Sequence, residues 1–211
     1  MAATSNSEYT IRYARESDVP MILQLVNELA TYEHALHEVE ATETTLRQTL
    51  SFAVDHPPSG SGSRSDSVSD RFTPGYAKTL LICAASTAVS ATEGVKDPDP
   101  SSLPVAGMAL YFHNYSTWRG APGIYLEDLF VRPAYRRRGF GQALLQALAR
   151  ECVSAGCKRL EWNVLKWNEP SIRFYESEVV GAKMMDEWVG MRVDGERLER
   201  LANAKETTEE R

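Results

Sequence analysis

The segment Leu126-Glu127-Asp128-Leu129-Phe130-Val131 constrains this chain more than any other, together with Arg132-Pro133-Ala134-Tyr135 and Arg136-Arg137-Arg138-Gly139-Phe140-Gly141 after it. An apolar run carrying two carboxylates reads as a strand. A proline turn follows, then an Arg-x-x-Gly-x-Gly loop, then a helix beginning near Gln142. Ala143, Leu144, Ala147, Leu148 and Cys152 recur at helical spacing, and Gly156 is placed to stop that helix. A helix start leaves about four backbone N–H groups without partners, and the helix dipole adds roughly half a positive charge there. Both attract phosphate groups. Gly139 and Gly141 let the backbone approach an anion without a Cβ in the way. Arg132, Arg136, Arg137 and Arg138 add positive charge around it. The block therefore predicts a phosphorylated ligand held against an acidic strand.

Two other glycine motifs are excluded. A P-loop needs Gly-Lys-Ser/Thr after its second glycine, and here Gln142-Ala143 follows Gly141. The dinucleotide fingerprint fails because no third glycine follows Ala143-Leu144. The remaining alternatives are a basic surface turn and a nucleic-acid patch. The place of the loop, after an acidic strand and before an amphipathic helix, favours the anion site. The chain as a whole carries a net charge of -6, which argues against nucleic acid and suits a cationic substrate.

With 211 residues the chain suits one domain with a real core. No apolar run reaches the ~18 residues of a membrane span, so no membrane partner is expected. Met1–Glu8 is polar and lacks the apolar stretch of a signal peptide. Cys83, Cys152 and Cys157 are an odd number without metal-type spacing, which fits packed thiols in a reducing, cytoplasmic setting.

The element order reads as mixed α/β. Tyr9–Tyr13 is a first strand. A helix capped by Ser17 or Asp18 follows, with Pro20 in its first turn and Met21, Ile22, Leu25, Val26 and Leu29 on one face. A second helix is expected over Thr42–Phe52. Thr79–Ala85, Val105–Tyr115 and Ile124–Val131 read as an antiparallel meander, with a turn over Gly120–Gly123. Beyond the helix that begins near Gln142, Lys158–Leu165 reads as a strand and Pro170 opens a helix carrying Ile172, Phe174 and Tyr175. A last strand is expected over Glu187–Val193 and a last helix over Gly195–Ala202. The expected organisation is a disordered 1–8, a single domain over 9–203 with polar loop insertions about 55–77 and 86–103, and a charged tail 204–211.

Strand, Arg-x-x-Gly-x-Gly, amphipathic helix, strand, then an Asn and a helical Tyr resemble the GCN5-related N-acetyltransferase (GNAT) superfamily. Within it the chain is most similar to the spermidine/spermine (diamine) N-acetyltransferase and thialysine acetyltransferase group. Glu28-Leu29-Ala30-Thr31-Tyr32-Glu33, Tyr125 to Val131 and Trp167-Asn168-Glu169-Pro170-Ser171-Ile172-Arg173-Phe174-Tyr175 carry the likeness, with Gly181-Ala182 and Trp188 to Leu201. The resemblance implies an α/β (mixed α+β) GNAT fold, a central, mostly antiparallel twisted sheet with helices on both faces. It implies acetyl-CoA as cosubstrate and a small cationic amine as acceptor. The backbone of Leu129, Phe130 and Val131 would pair with the pantetheine arm. Arg136, Arg137, Arg138, Gly139, Phe140, Gly141 and Gln142 would cradle the pyrophosphate, with Asn168 and Ser171 on the other side. Asn168 and Ser171 are equally suited to capping the helix that follows them. Homodimer formation is implied by the resemblance alone.

Tyr175 is the candidate general acid, because a phenol of pKa near 10 keeps its proton at neutral pH and can give it to a leaving thiolate. Glu127 is the candidate for handling the amine's proton. An alkylammonium of pKa ~10.4 is only about one part in a thousand neutral at physiological pH, and only the neutral amine attacks a thioester. Neighbours on a strand point to opposite faces unless a bulge intervenes, so Glu127 is assigned the chemistry and Asp128 substrate binding or an ion pair. Tyr32, Glu33, Glu187 and Trp188 are further candidates for holding the amine, Trp188 through its ring face. His34 and His37 lack a third ligand, so no metal is expected. The expected activity is direct acetyl transfer to a primary amine of a small cationic substrate, a polyamine or a lysine-like molecule. The alternatives are a protein lysine or N-terminal acetyltransferase and an inactive CoA-binding module.

Overall fold

Near-continuous apolar runs along three consecutive strands, buried on both faces, build the sheet on which everything else is placed. The computed structural model describes residues 4–5, 8–54, 71–85 and 103–204. The strands are β1 (Thr4–Ser5), β2 (Tyr9–Tyr13), β3 (Leu50–Ser51), β4 (Ala77–Ala84), β5 (Val105–Ser116), β6 (Ala121–Val131) and β7 (Leu160–Glu161). The helices are α1 (Val19–Tyr32), α2 (Glu43–Thr49), α3 (Phe140–Ser154), α4 (Glu169–Glu176) and α5 (Gly195–Ala202). Strand order is β1-β2-β4-β5-β6-β7, with β3 beside the start of β4. The β3–β4 and β6–β7 pairs are parallel and the rest antiparallel. The chain divides into two compact units, Met1–Glu169 and Pro170–Arg211.

In the first unit both sheet faces are covered. One face sends Leu81, Cys83, Met108, Leu110 and Phe130 into a core with Ile22 and Leu25 of α1 and Leu46 of α2. Leu25 is fully buried, so truncating it to alanine costs about 2–5 kcal/mol. The alternate residues face α3. There the Tyr9 ring meets Phe140 edge-on at 5.5 Å. The phenols of Tyr13 and Tyr111 donate to the buried Glu151 carboxylate at 2.7 and 2.6 Å. Both phenols are held above their ordinary pKa by burial and by the Glu151 charge. They remain donors, which satisfies a carboxylate that would otherwise be costly to bury.

The meander and the β6–α3–β7 crossover stand as the sequence predicts, and Gly195–Ala202 is helical over those eight residues. Five boundaries differ. Helix α2 ends at Thr49, because Leu50 and Ser51 leave it to pair with Ala77 and Lys78. Its start is a reciprocal cap between Thr42 and Thr45. The turn expected over Gly120–Gly123 is confined to residues before Ala121. Helix α3 begins at Phe140, two residues before the expected start. The strand expected over Lys158–Leu165 shrinks to two residues, which pair with Ile124 and Tyr125 before the chain diverges from β6. Thr4 and Ser5, within the segment expected to lack order, pair with Ile11 and Thr10.

The second unit holds most of α4, then α5. The strand expected over Glu187–Val193 does not form. Trp188 N–H donates to Met185 O in a turn instead. A strand needs a hydrogen-bonded neighbour, and alternation of apolar residues around Gly190 does not supply one among the described residues. Most of loops 55–77 and 86–103, and the tail from 205, lie outside the described residues. Among the described residues no helix is long and apolar enough to cross a membrane.

Candidate active site

The two carboxylates sit on a register shift. Asp128 pairs with Leu110 and Leu126 with Tyr111, so Glu127 is the extra residue of a β-bulge in β6. The expectation that strict alternation would send the two carboxylates to opposite faces therefore does not apply. Glu127 is exposed. Asp128, which shares its face with Leu110 and Phe130, is half-buried. Burial, then the charge of Glu127, then that of Glu33 push the Asp128 carboxyl up to about 6. Glu33 follows the last residue of α1 and is itself raised by burial. The charges of Glu127 and Glu33, from two separate parts of the chain, thus both act on Asp128.

C-terminal to Tyr125, β6 loses its β7 neighbour. Leu129, Phe130 and Val131 follow there, still paired on the other side with Ala109, Met108 and Gly107. A Cβ at Gly107 would overlap the Phe130 carbonyl, so glycine permits this close approach. Val131 O accepts from Arg136 Nε at 2.9 Å. Along this stretch no strand pairs with β6 on its β7 side among the described residues.

The loop that follows is shaped by two left-handed residues, Arg137 (φ 60°) and Gly139 (φ 76°). A non-glycine residue there is uncommon and marks a conformation imposed by its surroundings. Gly139 is the N-cap of α3, and the first intrahelical bond is Ala143 N–H to Gly139 O at 2.9 Å. The N–H groups of Phe140, Gly141 and Gln142 precede it and point out of the helix start, as an anion site requires. Arg138 lies over the Phe140 ring at 5.2 Å. Arg136 lies over the Tyr32 ring at 4.8 Å.

Arg132, expected among the charges around the anion, belongs elsewhere. It is 4 % exposed. Its Nε and Nη2 donate to the Glu28 carboxylate at 3.0 Å, and Nη1 donates to Val105 O at 2.7 Å. It clamps α1 to the end of β6. One arginine among four carries no sequence mark of this. The Glu28 at the head of the Tyr32-Glu33 segment is the only hint, and only the fold joins the two.

Tyr32 and Asn168 are brought together. The Tyr32 phenol donates to Asn168 Oδ1 at 3.2 Å, and its ring is 6.0 Å from that of Trp167. Asn168 is buried, and its N–H donates to Leu165 O in the turn after β7. The sequence offered Tyr32 as an amine contact; its observed partners, Asn168 and Arg136, are both cofactor candidates. Ser171 and Tyr175 lie on α4, where the Tyr175 ring is 5.4 Å from Phe174 and its carbonyl accepts from Ala182 N–H. Glu187 and Trp188 are exposed, in the segment that was expected to be a strand.

Comparison with known proteins now bears on this arrangement. Residues 75–179 match the model of the acetyltransferase (GNAT) family. The chain is 35% identical to the L-ornithine N5-acetyltransferase of Arabidopsis thaliana, over 90% of this chain and 86% of that protein. It is 33% identical to the thialysine N-epsilon-acetyltransferase of Bos taurus, over 91% and 96% of the two chains. Among solved structures, an integron cassette protein from the mobile metagenome of V. cholerae shares the fold, with a TM-score of 0.63 at 20% identity, over 95% of this chain and all of that one. The chain belongs to the GNAT family of acetyltransferases and is an N-acetyltransferase.

Proposed function

We propose that this chain transfers the acetyl group of acetyl-CoA directly to a primary amine of a small cationic substrate, either a basic amino acid of the ornithine and lysine type or a polyamine. The observation that carries the reading is the bulge at Glu127, which sets two carboxylates beside an open strand edge that runs into a helix N-terminus. Relatives named for ornithine and for thialysine acetylation support an amino acid bearing a side-chain amine.

The residues fit acetyl-CoA in three ways. The open edge at Leu129, Phe130 and Val131 suits an amide-bearing pantetheine chain. The N–H groups of Phe140, Gly141 and Gln142, with Arg136, Arg137 and Arg138, suit a pyrophosphate. Asn168 offers a side-chain amide to the same ligand, and Ser171 is a further candidate contact. When bound, acetyl-CoA supplies a thioester carbonyl for attack.

The remaining chemistry is the protein's. An ammonium reaches the site charged and has to lose a proton before it attacks. Glu127, exposed at the bulge, meets the cation, and Glu33 holds a more distant charge on the same molecule. Asp128, poised near 6, is better matched to accepting the proton than an ordinary carboxylate, because a proton acceptor works best near the operating pH. The proton is thus handled by the Glu127–Asp128 pair and not by Glu127 alone. Tyr175 gives its phenolic proton to the departing sulfur. Glu187 and Trp188 are the remaining amine-side candidates. No activated cysteine or serine is required, since the amine attacks directly.

Initial rates with acetyl-CoA over a panel of ornithine, lysine, thialysine, spermidine and a lysine-containing peptide test the reading. Higher kcat/KM for the small amines supports it. Preference for the peptide would replace it with protein acetylation, and acetyl-CoA binding without turnover on any amine would leave only a binding module.

A further inference from the structure

Tyr32 touches the segments that follow β6 and β7, which form the two walls of the proposed cofactor cleft where these strands diverge. Its phenol donates to Asn168 Oδ1 at 3.2 Å, on the wall that follows β7. Its ring lies 4.8 Å below the Arg136 guanidinium, on the wall that follows β6. Arg136 is in turn tied to that wall by its Nε donation to Val131 O at 2.9 Å. Trp167 flanks the same ring at 6.0 Å. Tyr32 is the last residue of α1, whose body is locked to β6 through Glu28 and the buried Arg132. Its position is therefore set by packing that has no direct part in the chemistry.

The hydrogen bond has a directional consequence. An amide side chain has one acceptor end and one donor end. With the Asn168 oxygen taken by the phenol, the Nδ2 donors are turned away from Tyr32. Asn168 is 7 % exposed, so its amide has little freedom to choose otherwise. The Tyr32 ring meanwhile restrains a long, flexible arginine whose reach covers the anion loop.

We propose that Tyr32 is a positioning residue for acetyl-CoA: it fixes the Asn168 amide and the Arg136 guanidinium on opposite walls of the cleft, and it acts on cofactor affinity rather than as an amine contact. The proposal rests on the acetyl-CoA reading of the cleft and deepens it. Removing one hydrogen bond that orients a ligand group weakens binding by about 1 kcal/mol, or roughly fivefold.

The test is Tyr32→Phe, which keeps the ring over Arg136 and against Trp167 and removes only the hydroxyl. Acetyl-CoA affinity is measured by calorimetry, and amine KM at saturating acetyl-CoA. The expected result is a roughly fivefold weaker acetyl-CoA Kd with amine KM within twofold of the parent. The cycle with Asn168→Ala separates positioning from a general structural effect. If Tyr32 acts through Asn168, adding Tyr32→Phe to Asn168→Ala weakens binding no further. Unchanged acetyl-CoA Kd, an effect confined to amine KM, or full additivity in the cycle would overturn the role of Tyr32 while leaving the acetyl-CoA reading intact. Failure of the unmutated protein to bind acetyl-CoA would overturn both.

Discussion

Glu127 and Asp128 are adjacent on one strand, yet a bulge leaves Glu127 without a cross-strand partner while Asp128 stays paired with Leu110 and rises to about 6. Because the Glu127 charge contributes to that rise, the two are coupled, and the coupling is measurable. Glu127→Gln removes a like charge, so Asp128 ionises at lower pH and the acid limb of the kcat/KM profile moves down. Asp128→Asn removes that limb and lowers the rate by about 10²–10⁴-fold, the usual contribution of a proton acceptor. A pH–rate profile of each variant checks this. Superimposable acid limbs for Glu127→Gln and the parent would show that Asp128 does not take the proton.

The same shift has a stability consequence of definite sign. The folded-state pKa of Asp128 lies above its unfolded value, so the folded state holds the proton more tightly. Stability from this group is greatest below pH 4 and falls as pH rises through 6. Asp128→Asn is therefore expected to stabilise the protein by about 3 kcal/mol at pH 8 and by less than about 1 kcal/mol at pH 4. Urea unfolding at the two pH values measures this. Equal effects at both would remove the electrostatic cause.

Tyr175→Phe keeps the ring on α4 and removes the proposed proton donor. Turnover is expected to drop by about 10²-fold or more with acetyl-CoA Kd unchanged, since the phenol acts only as the sulfur departs. Unaltered kcat would take Tyr175 out of the mechanism.

Arg132 and Arg138 separate fold from function. Glu28→Ala leaves the Arg132 guanidinium buried without its carboxylate, which costs about 3 kcal/mol and lowers Tm by roughly 10 °C for a chain of this size. Arg138→Ala leaves Tm within a degree or so and weakens acetyl-CoA binding severalfold. Thermal denaturation and calorimetry on the two variants check the contrast. A reversed pattern would return Arg132 to the anion site.

How much of this was legible in the sequence follows from what each residue needs. Gly139 and the spacing of Ala143, Leu144 and Leu148 announced the loop and its helix, because both depend on local chemistry. Gly195–Ala202 was legible for the same reason. The bulge at Glu127 was not, because it is a property of register between β5 and β6 that neither strand carries alone. Arg132 looked like its three neighbours, and only the fold brings Glu28 to it. Glu187–Val193 has a strand's alternation without a strand's partner among the described residues. Tyr32 was identified as a site residue from its segment. Its contacts with Asn168, 136 positions away, depend on where α1 ends against the β7 turn.

The central claim is that acetyl transfer occurs beside the bulge carboxylates from acetyl-CoA held at the loop. Its most direct measurement compares the parent protein with the Glu127→Gln, Asp128→Asn double variant. Both are incubated with acetyl-CoA and ornithine, and the amine is followed by mass spectrometry while acetyl-CoA affinity is measured separately. The parent is expected to form one acetylated amine per CoA released, and the double variant to bind acetyl-CoA as tightly but form almost no product. Full turnover by the double variant, or no acetylated amine from the parent, would contradict it.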